Sequence, residues 1–142
     1  MDPKIDIWNV LHDGEITAIS DENSDSLTMF VNIPWLRRRI EPIGDSFVLL
    51  FEGLKILEYE DTDGAKTSLR DELDVCSIEI LSTPSKLMPV TVMMTMGQLT
   101  LDYENINFKL DTGQEIDFET IDRLCEEYWA EWKDRAEQSA GK

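Results

Sequence analysis

The segments Gln98-Leu99-Thr100-Leu101-Asp102-Tyr103 and Ile106-Asn107-Phe108-Lys109-Leu110, followed by Asp117-Phe118-Glu119-Thr120-Ile121-Asp122-Arg123-Leu124-Cys125-Glu126-Glu127-Tyr128-Trp129-Ala130-Glu131-Trp132, decide the fold. The first two alternate apolar and polar residues, the period of a strand with one buried face; the third switches to the helical period. Phe118, Ile121, Cys125, Tyr128 and Trp132 fall at spacings of three and four and make one stripe, which Leu124 widens. The pattern predicts a helix from Asp117 to about Gln138, with Asp117 as its N-cap and Glu119 and Asp122 placing negative charge where the helix dipole favours it. Such a stripe needs a cover. The preceding sheet is the expected one, and a partner protein over part of the stripe is the alternative.

Working back toward the N-terminus, the same period-two signal recurs. Val90 to Met96 alternates, and Gly97-Gln98 suits a tight hairpin into the next strand; Glu104-Asn105 reads as a further turn. Leu73 to Leu81 predicts a strand with Cys76, Ile78 and Ile80 inward. Leu54 to Glu60 opposes Leu57 and Tyr59 to Glu58 and Glu60, with Gly53 as a bulge before it. Ser46 to Phe51 is apolar on both faces and reads as central. Glu15 to Ser20 and a strand carrying Leu27, Met29, Val31 and Ile33 form a hairpin about the polar turn Asp21 to Ser26. Asp61 to Glu72 is the most polar stretch and predicts a loop. No alternating helices separate the strands, so the expectation is an α+β domain: a mostly antiparallel, strongly curved sheet of about seven strands with one long C-terminal amphipathic helix packed on it. Residues 1–138 make that single domain and residues 139–142 a frayed tail.

A chain of 142 residues fits one domain and buries a core without metal or disulfide help. Cys76 and Cys125 lie inside apolar patterns and read as buried free thiols in a reducing compartment. No apolar run reaches the length of a membrane span, and Met1-Asp2-Pro3-Lys4-Ile5-Asp6 lacks the basic start and apolar centre of a signal peptide, so the expected location is cytoplasmic.

Thirty acidic residues oppose 13 basic ones, for a net charge of −17 that is spread along the chain. A field of this sign repels phosphate backbones and anionic lipid and attracts basic proteins in a salt-sensitive way. Neither a nucleic acid nor a membrane is therefore an expected partner, whereas a basic protein is. The single basic cluster, Arg37-Arg38-Arg39, follows Pro34, which suits the first turn of a short helix. Three successive arginines point different ways round a helix, so ion pairing with the acidic surface is expected rather than an anion site.

Signals for catalysis are sparse. A single histidine, His12, followed by Asp13-Gly14, reads as part of a turn, and the two cysteines are too far apart in sequence for a zinc knuckle. The acidic loops Asp21 to Ser26 and Asp61 to Gly64 lack the glycine or glutamate positions of a calcium loop, and no glycine-rich phosphate cradle exists. The expectation is a chain with no cofactor, no metal and no catalytic residues.

Trp8-Asn9-Val10-Leu11-His12-Asp13-Gly14, Gly44-Asp45-Ser46-Phe47 and Tyr128-Trp129-Ala130-Glu131-Trp132 resemble stretches of small bacterial proteins, and in outline and acidity the chain is similar to immunity proteins of bacterial toxin systems. The resemblance implies a cytoplasmic, non-catalytic binding protein and transfers no functional residue. Two functions follow. The first is an acidic protein-binding module, of the immunity or inhibitor kind, with Glu60, Asp61, Asp63 and Asp71 as contact acids and Tyr59 as an aromatic anchor. The alternative is a small-ligand binding domain or enzyme with a pocket between sheet and C-terminal helix, lined by Trp8, Met93, Tyr128 and Trp132.

Overall fold

Asp2 and Pro3 start the first element: the Asp2 carboxylate accepts from the Lys4 amide and Pro3 takes the first helical position, where its missing N–H costs nothing. In the computed structural model, which describes residues 2–23, 25–64, 66–67, 78–95 and 97–140, this helix is α1 (Pro3–Val10). It is followed by β1 (Glu15–Asn23), β2 (Ser26–Asn32), α2 (Pro34–Arg37), β3 (Ser46–Glu52), β4 (Ile56–Asp61) and β5 (Lys66–Thr67). The second half adds β6 (Ile78–Ser82), β7 (Val90–Met94), β8 (Gly97–Asp102), β9 (Asn105–Leu110), β10 (Glu115–Ile116) and α3 (Phe118–Ala140). No helix among the described residues is long and apolar enough to cross a membrane.

The strands form one open antiparallel sheet in the order β10-β9-β3-β2-β1-β6-β7-β8-β4-β5. Its ten strands exceed the expected seven chiefly because the edge strands β5 and β10, two residues each, are too short to show a pattern. β1 also runs through to Asn23, so the turn to β2 is tighter than the polar stretch Asp21 to Ser26 suggests.

Two links force the curvature. β3 and β4 are joined by Gly53, Leu54 and Lys55 alone, yet stand six places apart in the sheet, roughly 29 Å across a flat sheet at the usual strand spacing. Three linking residues reach about 15 Å at most, so the sheet must curl until its two halves meet. β8 and β9, also six places apart, are joined by Tyr103 and Glu104. The links run side by side: the Lys55 amide donates to the Asp102 carbonyl at 2.7 Å and the Glu104 amide to the Glu52 carbonyl at 3.0 Å. Gly53, at φ +66, permits this approach, since a Cβ there would stand 2.7 Å from the Glu104 side chain. The stretch at Glu104-Asn105 is thus a crossover between sheet halves rather than a hairpin turn.

The curl encloses the core. Inward residues of β2 (Leu27, Met29, Val31), β3 (Phe47, Leu49, Phe51), β7 (Val90, Val92) and β8 (Leu99, Leu101) meet α1, whose Ile5, Ile7 and Trp8 are buried. Ile78 and Ile80 are inward as expected, while Cys76 lies outside the described residues. α3 touches the sheet through Phe118, whose ring is 6.4 Å from that of Phe108 on β9. Farther along it lies over α1, where the Cys125 thiol donates to the Val10 carbonyl at 3.5 Å, and over α2, where Tyr128 packs on Trp35 at 4.3 Å. The apolar stripe of α3 is therefore covered by the sheet at its start and by the two shorter helices as far as Tyr128, while its last member, Trp132, is exposed.

Candidate protein-docking face

The convex face of the β6-β7-β8-β4 half is built by alternation. Residues that do not point into the core point out, and the registers Met93↔Gln98↔Glu60, Thr91↔Thr100↔Glu58 and Asp102↔Ile56 lay them in rows. Ile56, Met93 and Leu81 on β6 are exposed there, an apolar surface set among the carboxylates of Glu58, Glu60 and Asp102.

Glu60, Asp61 and Met93, drawn from separate parts of the sequence, come together. With Thr62, Met94, Thr95, Gly97 and Gln98 they line a cleft of about 340 Å³ at the β7-β8 turn. Its shape is held by short contacts. Gln98 Nε2 donates to Glu60 Oε2 at 3.2 Å, the Asp63 amide donates to Asp61 Oδ1 at 2.9 Å, and the bare Cα of Gly97 lets this strand pass against the Glu60 carbonyl, with which any Cβ would collide. The cleft has oxygen acceptors on one wall and a methionine side chain on the other, which suits an amphipathic cationic group such as a lysine with its aliphatic stem.

The acidity continues across the sheet. Glu15 on β1 stands opposite Glu79 on β6, and the Glu79 amide donates to the hydroxyl of Thr95, which also lines the cleft. Local burial, then the hydrogen bond and negative charge of Asp13, then Glu15, hold the Glu79 carboxyl above the usual range. A carboxyl raised in part by neighbouring acids is relieved by a cation brought beside it.

The other residues expected at a site lie elsewhere. Tyr59 shares β4 with Glu60 but packs against the core on the opposite face, and burial followed by the charge of Asp61 raises its hydroxyl. Beside Glu60 on the outer face it is Met93, 39% exposed, that alternation places instead. Asp71 lies outside the described residues. The four residues expected to line one pocket are dispersed. Trp8 is fully buried and its ring stacks on Phe51 at 6.1 Å, so it fills the space between sheet and helix instead of lining it. Met93 is on the convex face. Tyr128 and Trp132 belong to an aromatic group with Trp35, Trp129 and His12, in which Trp132 is 52% exposed.

Two of the three arginines, Arg37 and Arg39, pair with acids as expected, and Arg38 donates to a backbone carbonyl instead. Arg37, fully buried, donates from its guanidinium to Asp111 at 2.8 Å, to Glu41 at 3.2 Å and to the Ser46 carbonyl at 3.2 Å; Arg39 pairs with Glu131 on α3 at 2.6 Å; Arg38 donates to the Gly44 carbonyl. Each ties α2 to a neighbour. Among the described residues no three His, Cys, Asp or Glu side chains are grouped to hold a metal ion. His12 accepts or donates through Nδ1 at the Asn9 carbonyl, 2.9 Å away, and stacks on Trp129, consistent with a turn residue. No protein-family model, curated protein or solved structure matches the chain.

Proposed function

We infer that this chain is a non-catalytic binding module that docks a basic protein, in the manner of an immunity or inhibitor protein, through the convex face of β6-β7-β8-β4. The observation that carries this reading is the placing of exposed Ile56, Leu81 and Met93 on one outer face whose rows also carry Glu58, Glu60, Glu79 and Asp102. Exposed apolar side chains interspersed with charges of one sign suit a protein interface, and those charges select a partner of the other sign. The net charge of −17 adds long-range attraction for such a partner. A cytoplasmic setting fits the same reading. The competing small-ligand pocket is disfavoured because the four residues expected to line it are dispersed, Trp8 being packed into the core against Phe51 and Met93 lying on the outer face.

The test is capture of proteins from native lysate on the immobilised chain, eluted by rising salt and identified by mass spectrometry, in parallel with the variant Glu58→Lys/Glu60→Lys. A basic protein held in stoichiometric amount, released by salt and lost from the variant, is the expected result. Retention that ignores both salt and the substitutions overturns the assignment to this face.

A further inference from the structure

The opposite end of the sheet carries a second feature. β9 pairs along its whole length with β3, Asn105 to Leu110 against Glu52 to Phe47, but on its other side β10 meets only Lys109 and Phe108. Beyond Ile116 the chain turns into α3, so among the described residues Asn105, Ile106 and Asn107 have no strand on that side. The Leu110 amide donates to the Gln114 carbonyl across the same edge, at 2.8 Å. Alternation along an antiparallel ladder then directs the backbone groups of Phe108 and Ile106 the same way, and Ile106 is the position where the ladder stops short.

A groove of about 530 Å³ lies along this open edge. Ile106, Phe108, Ile116 and Phe118 supply apolar lining, and Glu52, Glu115, Asp117 and Glu119 supply four carboxylates against one cation, Lys109. A protein with an uncovered edge ordinarily blunts it with lysine, proline or a bulge; here the edge is flanked by acid, which repels a second copy of this acidic chain and attracts a cationic one.

We propose that this groove takes an extended, lysine- or arginine-bearing segment of a partner protein as an added antiparallel strand on β9, its backbone pairing with Ile106 and its cationic side chains meeting Glu52, Glu115 and Glu119. Main-chain pairing supplies affinity in this mode and the side chains at alternate positions supply selectivity. The site is distinct from the β6-β7-β8-β4 face and stands whether or not that face binds.

The probe is a blocked seven-residue peptide alternating lysine and valine, added to the full chain at low salt and followed by amide NMR and hydrogen exchange. The expected result is a shift of the Ile106 and Glu115 amides and a slowing of Ile106 exchange by about tenfold. Two further peptides, N-methylated at every valine or at every lysine, separate strand pairing from charge attraction, and one of them is expected to lose about tenfold in affinity. The variant Glu115→Lys/Glu119→Lys, checked for an unchanged melting temperature, is expected to lose a similar factor, whereas Glu58→Lys/Glu60→Lys is expected to leave the Ile106 amide shift and its slowed exchange in place. Equal binding of both N-methylated peptides, shifts confined to the β4 and β8 amides, no binding at all, or protection of Ile106 that instead follows self-association of the chain would each overturn the proposal.

Discussion

The Trp8 indole N–H donates to the Tyr103 hydroxyl at 3.1 Å, and that hydroxyl in turn donates to the Lys4 carbonyl. One buried oxygen thus ties α1 at two points to the link between β8 and β9, where the halves of the sheet meet. Replacing Tyr103 by Phe keeps the ring that packs edge-on against Phe51 at 4.8 Å but leaves the indole N–H unpaired in the core. The expected loss is about 1–3 kcal/mol, read as a lower denaturant midpoint with an unchanged slope.

The same hydroxyl sets an alkaline limit. Burial foremost pushes its pKa well above the ordinary tyrosine value, against the opposing hydrogen bond from Trp8. The unfolded chain ionises near pH 10 while the folded one does not, so unfolding releases a proton and stability falls as pH rises beyond about 10. Tyr103→Phe removes that slope, which denaturation at pH 8 and pH 11 measures.

At the acid end, burial alone would raise the Asp111 carboxyl, but the Asp45 amide, the Arg37 guanidinium and the Ser46 amide all donate to it and bring it below the usual aspartate range. A depressed carboxyl stabilises the fold above its unfolded pKa, near 4, and loses that contribution as pH falls through the folded value. Arg37→Met leaves Asp111 with the Asp45 and Ser46 amides as donors and is expected to cost about 1–3 kcal/mol at neutral pH, with a smaller difference from the parent at about pH 2. Thermal melts at both pH values check this.

Cys125 offers a chemical readout. Burial pushes its thiol up to about 11, against the opposing influence of Trp129, and it donates to the Val10 carbonyl. At pH 8 the native thiol is expected to resist alkylation and to react at an ordinary rate in denaturant. Peptide mapping after iodoacetamide treatment distinguishes it from Cys76.

The two neighbouring tryptophans are expected to differ. Trp129 is partly buried among Trp35, Tyr128 and His12, and Trp129→Ala should cost about 2–3 kcal/mol; Trp132, more than half exposed, should cost under about 1 kcal/mol. Chemical denaturation of the two variants reads the difference.

Elements with a sustained period were legible in the sequence. The stripe of α3 and its cap are as expected, the Thr120 amide donating to Asp117 Oδ1 at 2.8 Å. The α+β class and most strands follow from alternation in the same way. α1 was not legible: Ile5, Ile7, Trp8, Val10 and Leu11 run round most of a short helix buried on nearly all sides, so no amphipathic stripe forms. The crossover at Glu104-Asn105 has the composition of a hairpin turn, and nothing in a local pattern says that β8 and β9 pair with other strands. The candidate face was half legible. Glu60, Asp61 and Met93 could each be singled out, but their meeting depends on the register of β4, β8 and β7, which a one-dimensional pattern does not contain. Arg37 signals ion pairing through its neighbours, whereas its partner Asp111 is set by tertiary contact alone.

The paired links between the sheet halves also order events during synthesis. β3 finds β2 at once, but its other side stays open until Asn105 to Leu110 have left the ribosome, and β4 likewise waits for β8. A nascent chain therefore displays two unsatisfied strand edges for much of its translation, and its folding is governed by distant pairings of the slow kind. Glu52 on β3 and Glu58 and Glu60 on β4 put like charge beside those edges, which opposes pairing between two growing chains.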